Sequence, residues 1–385
     1  MSKQNSDGKF MQAAIAEAKK GLGATAPNPA VGAVIVKNGR VVARGYHAFV
    51  GGPHAEIAAL AALKRPADAL GATLYVTLEP CSTPGRTGAC TDTIIRAGFA
   101  RVVYGATDPN PCHAGRARGI MRSAGIRVKT AVSARECAAL NTAWNKWVAT
   151  GLPYVTLKVA MSKDGYITAP PPRHWITSPA ARRDAMRLRA ACDAVLVGGE
   201  TIRADNPRLT VRGIRVKKQP LRVVWCRSRP LPRDARIFDG SGSSGSSGGD
   251  VDGGCVGANA DCPLGRSPSI NSAGLRPNEQ SGMSGVRVFR GVSLEKALRS
   301  LAREGVMHVL IEGGTRTHEE AFRHGHCDRV VVYRSPDVFN DKSLVRAAEG
   351  FFKKFHAETR RHERIAGRDR VPTLSSSPNH TRHPA

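Results

Sequence analysis

Strand-type and helix-type segments alternate through the first 150 residues of this chain, and this alternation restricts the possible fold more than any other feature. Apolar residues recur at helical spacing over 10–20, and two alternating apolar runs, 31–36 and 41–45, flank the turn pair Asn38-Gly39. The remaining predicted elements of this region are helices over 54–63, 90–97 and 116–123, strands over 73–77, 102–106 and 126–129, and a closing helix that carries Trp144 and Trp147. Strands separated by helices pair in parallel, so we expect an α/β domain whose sheet is covered on both faces.

A second α/β segment follows the break at 151–153. A strand is predicted over 154–161, and Ser178 followed by Pro179 is typical of the start of a helix, here predicted to end at 191. Further strands are predicted over 194–197, 221–226, 286–289, 307–311 and 329–333, with a helix over 293–303. We therefore expect a domain over 1–150, a second over 151–336, and a basic, disordered tail over 337–385. Residues 240–285, with the run SGSSGSSGGD, have the composition of a flexible insertion in the second domain.

Charge and cysteine usage narrow the class of protein. The net charge is +27, from 58 Lys and Arg against 31 Asp and Glu, which favours nucleic acid, an anionic membrane or phosphorylated small molecules as partners. The 9 cysteines are odd in number and scattered, so we expect free thiols in a reducing compartment. The start MSKQNSDGKF is unlike a signal peptide, and no apolar run is long enough to cross a membrane, so we expect a cytoplasmic protein without a membrane partner.

Four residues form a candidate metal site. His54 and Glu56 stand at the start of one predicted helix, and the loop after Pro80-Cys81 leads to Cys90 at the start of another. The partial positive charge of a helix N-terminus favours thiolate over thiol. One imidazole and two thiolates leave the fourth position of a tetrahedral Zn²⁺ open to water, as in catalytic zinc sites.

Glu56 is placed to move protons beside this site without binding the metal. The order His-x-Glu followed by Pro-Cys is the known pattern of zinc deaminases, although eight residues separate Cys81 from Cys90 where Pro-Cys-x-x-Cys is usual. The alternative is that His54 starts a helix, Glu56 is a surface carboxylate and the cysteines are core residues. Cys112, next to His113, is a weaker further metal candidate.

Several longer motifs resemble the bifunctional deaminase-reductases of riboflavin biosynthesis. In the first domain they read PNPAVGAVIV (27–36), GGPHAE (51–56), TLEPCSTPGRTGAC (77–90) and DPNP (108–111). In the second domain they read PYVTLKVAMSKDG (153–165), WITSPAARRD (175–184), ADNPRLTVR (204–212) and IEGG (311–314). The likeness covers roughly residues 10–235 and 286–335, and the long loop between the two cysteines is typical of this family.

The resemblance implies a cytidine-deaminase-like three-layer domain, followed by a dihydrofolate-reductase-like domain that carries the insertion. It implies two reactions on a phosphorylated pyrimidine. The first is zinc-dependent removal of the 2-amino group of 2,5-diamino-6-ribosylamino-4(3H)-pyrimidinone 5′-phosphate, and the second is NADPH-dependent reduction of the ribosyl chain to ribityl. The implied cofactors are Zn²⁺ and NADPH. Nucleic acid is not an expected partner, and the question whether the protein forms a homo-oligomer stays open.

The resemblance also assigns residues to the two sites. His54, Cys81 and Cys90 hold zinc, and Glu56 is catalytic. Substrate contacts fall on Asn28, His47, Asp108 and Asn110 in the first domain and on Lys158, Arg189, Leu209, Arg212 and Glu312 in the second. Cofactor contacts fall on Ala160, Trp175, Thr201, Asp205 and Gly314. For Asn28, between two prolines, a role in the turn is the alternative, and Arg189 on its helix could equally face solvent.

The chain departs from the family pattern in both domains. In the first, Ala26 and Thr83 replace histidines, neither of them a metal ligand. In the second, Arg173 and Arg227 replace small polar residues, and bulky Arg316, His318 and Glu319 follow the glycines where a phosphate loop needs close backbone approach.

These departures and the positive charge of the chain leave three alternatives to the bifunctional enzyme. One is an active deaminase with a degenerate reductase. A second is a nucleic-acid deaminase, which is expected to have the short cysteine spacing and no second α/β domain. The third is a basic zinc-binding scaffold, which has no use for a proton carrier such as Glu56.

Overall fold

The computed structural model describes residues 3–83, 88–110, 113–216, 218–239, 285–345, 363–366 and 369–375. The chain divides into two compact units between Leu152 and Pro153. The insertion predicted over 240–285 lies outside the described residues apart from Gly285. Among the helices of the described residues, none has the length and apolarity to cross a membrane.

The first unit is built on a five-stranded sheet in the order β2-β1-β3-β4-β5. Its strands are β1 (Gly32–Lys37), β2 (Arg40–Tyr46), β3 (Thr73–Leu78), β4 (Arg101–Ala106) and β5 (Arg127–Lys129). Its helices are α1 (Lys3–Ala18), α2 (Ala55–Ala61), α3 (Cys90–Arg96), α4 (Arg116–Ser123), α5 (Ala134–Leu140) and α6 (Thr142–Thr150). Strands β3, β4 and β5 run parallel and β1 and β2 are antiparallel, which confirms the predicted α/β class.

Helices cover both faces of this sheet because successive residues of a strand point to opposite sides. In β1, Ala33 and Ile35 join a core formed with α2, α3 and α4, whereas Val34 and Val36 join a core formed with α1 and α5. The hairpin predicted at Asn38-Gly39 is present, with both residues at positive φ, as a tight two-residue turn requires. The result is a three-layer unit with the carboxyl ends of β3 and β4 along one edge.

The second unit is built on an eight-stranded sheet in the order β12-β13-β11-β6-β10-β7-β8-β9. Its strands are β6 (Tyr154–Met161), β7 (Ala194–Gly198), β8 (Leu221–Cys226), β9 (Val286–Arg290), β10 (His308–Gly313), β11 (Arg329–Arg334), β12 (Glu363–Ala366) and β13 (Asp369–Ser375). Its helices are α7 (Pro179–Ala190), α8 (Gly199–Asp205), α9 (Leu294–Arg303) and α10 (Thr315–Arg323). The six strands from β11 to β9 are parallel, so their carboxyl ends share one edge of the sheet.

Local signals in the sequence locate some of these helices well and miss others. The Ser178 side chain accepts from the backbone N–H of Ala181 with Pro179 in the first turn, as predicted. Helices α5, α8 and α10 are absent from the sequence prediction. Helix α8 begins directly after Gly198, which ends β7, and α10 begins after Gly314, which follows the last residue of β10.

Part of the predicted disordered tail is ordered. Strand β13 pairs antiparallel with β11, and β12 pairs with β13. The expectation of disorder is therefore wrong for residues 363–366 and 369–375. The prediction rested on the basic composition of the tail, whereas the backbone hydrogen bonds to the edge of β11 do not depend on side-chain charge. Residues 346–362, 367–368 and 376–385 of the tail lie outside the described part of the chain.

Candidate functional site

The predicted metal ligands lie together at the starts of two helices in the first unit. His54 is the N-cap residue of α2, and Cys90 is the first residue of α3. The Nδ1 atom of His54 lies 3.2 Å from Cys90 Sγ and 3.6 Å from Cys81 Sγ. Cys81 follows β3 by three residues, and its Sγ accepts from the backbone N–H of Cys90 at 3.2 Å. Strand β3 and the starts of helices α2 and α3 thus place three ligand atoms around one point.

The charges at this site favour proton transfer near neutral pH. Hydrogen bonding by the Cys90 thiol lowers the pKa of Cys81 to about 4, so one of the two sulfurs is readily a thiolate. Glu56 lies in the first turn of α2 and is 3% exposed. Burial, reinforced by the negative charge of Cys81, raises the pKa of Glu56 to about 7. A carboxyl group with this pKa can both accept and donate a proton at physiological pH.

The three ligand atoms fit a zinc ion. They all lie within 4.8 Å of one another. Nitrogen and sulfur ligands 2.0–2.3 Å from a tetrahedral Zn²⁺ stand roughly 3.4–3.8 Å apart, which is close to the spacing of His54 Nδ1 from the two sulfurs. Among the described residues this is the one cluster of His, Cys, Asp and Glu side chains close enough to hold a metal ion. Cys112, the further metal candidate, lies outside the described residues, and its neighbour His113 contacts the Thr83 hydroxyl at 3.4 Å.

Asn28 and His47 form a hydrogen-bonded pair beside His54. The His47 ring meets the His54 ring edge-on, with centroids 5.7 Å apart. His47 Nδ1 lies 3.0 Å from the Pro53 carbonyl and Nε2 lies 3.1 Å from Asn28 Nδ2. Burial lowers the pKa of His47, so the ring is neutral, with Nδ1 donating to the carbonyl and Nε2 accepting from the amide. This leaves the Asn28 carbonyl oxygen as an acceptor next to the candidate zinc site.

Asp108 and Asn110 are held by a carboxylate that sequence reasoning missed. Glu79, 4% exposed, accepts from the backbone N–H groups of Asp108 at 3.3 Å, Gly115 at 3.0 Å and Ala117 at 3.2 Å. The Asp108 side chain in turn accepts from the N–H of Asn110 at 2.9 Å. Glu79 therefore ties the start of α4 and the loop before it to the end of β3, next to Cys81. Its position directly after a buried strand and inside the TLEPC motif was the available signal.

In the second unit, three predicted substrate residues form a buried ionic cluster. The guanidinium of Arg189 makes a two-point ion pair with Glu312, through Nε to one carboxylate oxygen and through Nη2 to the other at 2.8 Å. It also donates to the Thr210 carbonyl at 2.9 Å, and Lys158 Nζ lies 3.8 Å from Glu312. Although burial opposes it, the charges of Lys158 and Arg189 keep the pKa of Glu312 below its usual value. Arg189 therefore does not face solvent, which was the alternative reading of its helix.

A group of positive charges surrounds this cluster. Partial burial, with repulsion from Arg189, Arg208 and Arg236, lowers the pKa of Arg212. Leu209 lies between Arg208 and Arg212 in the sequence. Its side chain is buried, and its backbone is left-handed, with φ 56°. Such a conformation is unfavourable for leucine and is maintained only where the surrounding structure imposes it, often at binding sites. Arg189 is paired with Glu312, and Arg208 lies 3.4 Å from Asp239, so the positive charge left for an anionic ligand is that of Arg212.

Four glycines and two threonines form what we call the glycine cradle: Gly198, Gly199, Gly313, Gly314, Thr201 and Thr317. It lies where β7 leads into α8 and β10 leads into α10. A Cβ atom on Gly198 would stand 2.6 Å from Thr317 Oγ1, and one on Gly313 would stand 3.0–3.1 Å from the Thr201 side chain. Only glycine allows the two helix starts to approach this closely. Thr201 and Gly314 were predicted from the sequence, whereas Gly198, Gly199, Gly313 and Thr317 were not.

The remaining predicted cofactor residues are more scattered. Ala160 lies on β6 and packs against the core beneath α7. Trp175 is 58% exposed in the loop before α7, with the Arg182 guanidinium 5.0 Å from its ring centre. Asp205 is the last residue of α8 and is exposed.

Two residues that depart from the family pattern are engaged within the protein. Arg173 forms a 2.7 Å ion pair with Asp337. His318 is buried, and its Nε2 lies 3.2 Å from the Ile311 carbonyl. The expectation that His318 obstructs the phosphate loop is wrong, because α10 begins at Thr315 and turns this side chain into the core.

Two protein families match parts of this chain. The family described as the cytidine and deoxycytidylate deaminase zinc-binding region matches residues 4–106, and the RibD C-terminal domain matches residues 153–367. The second match extends past residue 335, where the motif resemblance ends.

Relatives and solved structures match along most of the chain. The riboflavin biosynthesis protein RibD of Aquifex aeolicus is 37% identical over 336 residues, which is 87% of this chain and 88% of that protein. A solved structure of Acinetobacter baumannii RibD is 31% identical with a TM-score of 0.78 and covers 97% of this chain and 99% of that one. A Thermotoga maritima structure described as a diaminohydroxyphosphoribosylaminopyrimidine deaminase/5-amino-6-(5-phosphoribosylamino)uracil reductase is 29% identical with a TM-score of 0.76, covering 98% of this chain and all of that one.

The predicted fold class is therefore confirmed, with a cytidine-deaminase-like unit followed by a RibD-type, dihydrofolate-reductase-like unit. Zinc and NADPH are the cofactors of these two domains. The chain belongs to the family of bifunctional riboflavin biosynthesis proteins named RibD.

Proposed function

We propose that this chain catalyses two consecutive steps of riboflavin biosynthesis. Its first unit removes the 2-amino group of 2,5-diamino-6-ribosylamino-4(3H)-pyrimidinone 5′-phosphate as ammonia. Its second unit then reduces the ribosyl chain to ribityl with NADPH, giving 5-amino-6-ribitylamino-uracil 5′-phosphate. The observation that carries the proposal is a buried Glu56 beside a zinc-type cluster, on a chain that continues into a second α/β unit.

In the deaminase unit, we assign zinc binding to His54, Cys81 and Cys90. Zinc at this position would supply a Lewis acid that lowers the pKa of water. Glu56 takes a proton from the attacking water and delivers it to the amine, which leaves as ammonia. Its raised pKa suits both roles, since the same group must accept and then release a proton close to neutral pH.

Residues around Glu56 hold the pyrimidine. The Asn28 amide, fixed by the neutral His47 ring, offers a carbonyl oxygen to an N–H group of the substrate. Asp108 and Asn110 form the opposite rim, where Glu79 holds their loop.

In the reductase unit, we assign the pyrophosphate of NADPH to the glycine cradle. Glycine backbone without side chains and two helix N-termini suit a phosphate group. The Thr201 and Thr317 hydroxyls lie beside these glycines. NADPH in this position would supply a hydride. The Lys158 ammonium, held by Glu312, is placed to provide a proton when the ribosyl ring opens, and Arg212 is suited to the substrate phosphate.

Ammonia release and NADPH oxidation, followed separately, test the two halves. Zinc-loaded protein supplied with the diaminopyrimidinone substrate should release ammonia without NADPH and then oxidise NADPH in proportion to the deaminated product. Ammonia release without NADPH oxidation would support a degenerate reductase instead. If the protein shows neither ammonia release nor NADPH oxidation and instead binds RNA in a salt-sensitive way, the enzyme assignment is contradicted.

The proton carrier can be tested by one substitution. Glu56→Gln should abolish ammonia release, because an amide cannot carry the proton, while zinc content measured by atomic absorption stays at the wild-type value. The control is Asp92→Asn, which changes an exposed carboxylate in the first turn of α3 and should leave ammonia release unchanged. Persistent activity in Glu56→Gln would overturn the assignment.

We also propose that the chain works in a reducing compartment such as the cytoplasm. Two of its zinc ligands are thiols that must stay reduced to bind metal, and all six described cysteines are free.

A further inference from the structure

A cavity of about 390 Å³ lies at the carboxyl ends of β8 and β9. Trp225, Arg227 and Ser228 line it from the end of β8, and Val292 and Ser293 line it from the segment between β9 and α9. Its volume falls in the range of small-molecule sites, roughly 300–1,000 Å³. None of the residues assigned to substrate or cofactor above lines this cavity.

The cavity directly adjoins the glycine cradle. A Cβ atom on Gly199 would stand 2.7 Å from the Cβ of Cys226, the residue before Arg227. In the sheet, β7 pairs with β8 and β8 pairs with β9, so the cradle and the cavity occupy neighbouring positions along one edge. Neighbouring strands are about 4.8 Å apart, so a ligand whose pyrophosphate rests on the cradle reaches the cavity with its next sugar.

The backbone around Arg227 is firmly held. The N–H of Gly291 approaches the carbonyls of Cys226 and Arg227 at 3.0 and 3.1 Å. The guanidinium of Arg203, on α8, donates to the Pro230 carbonyl at 2.8 Å. The Trp225 indole donates to the Val292 carbonyl at 2.9 Å and so fixes one wall of the cavity. The site is therefore preorganised before any ligand binds.

The cavity carries an available positive charge. Arg227 is exposed, and its guanidinium makes no hydrogen bond or ion pair with the other described residues. The one carboxylate that lines the cavity, Glu320 on α10, lies 3.4 Å from His324, the residue that follows this helix. The hydroxyls of Ser228 and Ser293 add neutral donors. A fixed fork of N–H donors with nearby hydroxyls suits a phosphate monoester.

We propose that Arg227 selects NADPH over NADH by binding the 2′-phosphate of the adenosine half in this cavity. The inference rests on the proposed reductase function and specifies its cofactor preference. Arg227 contacts the one group by which the two dinucleotides differ. Lysine, with a compact charge and no fork, is expected to substitute only in part.

The test measures binding by calorimetry, apart from turnover. Wild-type protein should bind NADPH and 2′,5′-ADP more tightly than NADH and 5′-AMP. Arg227→Ser should weaken the binding of NADPH and 2′,5′-ADP by about 10- to 100-fold, because one charge-assisted contact is lost. The affinities for NADH and 5′-AMP should remain unchanged. The NADPH and 2′,5′-ADP affinities of Arg227→Lys should fall between those of the wild type and those of Arg227→Ser. The control Arg229→Ser removes a neighbouring arginine that is 71% exposed and lies 3.9 Å from Glu200, and it should leave all four affinities unchanged.

The outcomes separate this inference from the proposed function. If wild type binds neither NADPH nor NADH, the reductase assignment fails and the inference fails with it. If wild type prefers NADPH and Arg227→Ser keeps that preference, the reductase assignment stands and the inference is overturned. Unchanged binding of NADH to Arg227→Ser shows that the variant is folded, so a selective loss of NADPH affinity supports the inference.

Discussion

Glu79 should control substrate affinity in the deaminase unit without touching the metal. Its two carboxylate oxygens accept three backbone N–H groups, from Asp108, Gly115 and Ala117. In Glu79→Gln one oxygen becomes an NH₂ group, so whichever way the amide turns, at least one buried N–H faces a donor. An unsatisfied buried donor costs about 1–3 kcal/mol.

The size of the effect follows from where this energy is lost. If the loop stays in place, the first unit loses about 1–3 kcal/mol of stability, and its melting temperature falls by roughly 2–12 °C. If the loop instead leaves its position, substrate must restore it, and KM rises by about 5- to 150-fold. In both cases zinc content should remain unchanged, because Cys81 is held separately by the backbone N–H of Cys90.

The assay combines ammonia release over a substrate series, zinc analysis and thermal unfolding. We expect a larger change in KM than in kcat, because Glu79 positions the rim of the pocket and does not position Glu56. Asp92→Asn serves as the matched control for loss of a nearby carboxylate. Unchanged KM together with an unchanged melting temperature would refute the reasoning, and loss of zinc would show that Glu79 acts on the ligands instead.

Two further predictions concern a buried carboxylate and the glycine cradle. Burial alone would raise the pKa of Asp7, but hydrogen bonds from Arg101, Lys129 and Tyr75 hold this pKa far below its usual value. The ionised Asp7 therefore stabilises the fold above about pH 4, and this stabilisation is lost as pH falls further. Asp7→Asn should therefore lower the free energy of unfolding by roughly 1–3 kcal/mol at pH 7, and chemical denaturation should show the difference from wild type shrinking below about pH 4; a pH-independent difference would contradict this. Gly198→Ala should abolish NADPH binding in calorimetry while ammonia release persists, because its Cβ would lie 2.6 Å from Thr317 Oγ1; tight NADPH binding would show that the cradle does not hold the cofactor.

Elements with strong local signals were predictable from the sequence. The Asn38-Gly39 turn, the Ser178 cap and the continuous apolar run of β1 each depend on a few neighbouring residues. Helices α8 and α10 were missed because they begin at glycines at or just after the end of a strand, and such glycines are equally common in loops. Strand β13 was missed because its pairing with β11 joins residues far apart in the chain, and β12 was missed with it because, among the described strands, β12 pairs only with β13.

The zinc cluster was accessible to sequence reasoning because its members stand at helix starts, where His54 and Cys90 are placed by local structure. By itself the sequence determined the α/β class and the chemical nature of the metal site, since periodicity and ligand type are properties of short segments. Only the tertiary structure decided which distant groups meet: Glu79 with the loop of Asp108, Arg189 with Glu312, and Gly198 with Thr317. These contacts arise from the order of the strands in each sheet, and no local pattern encodes that order.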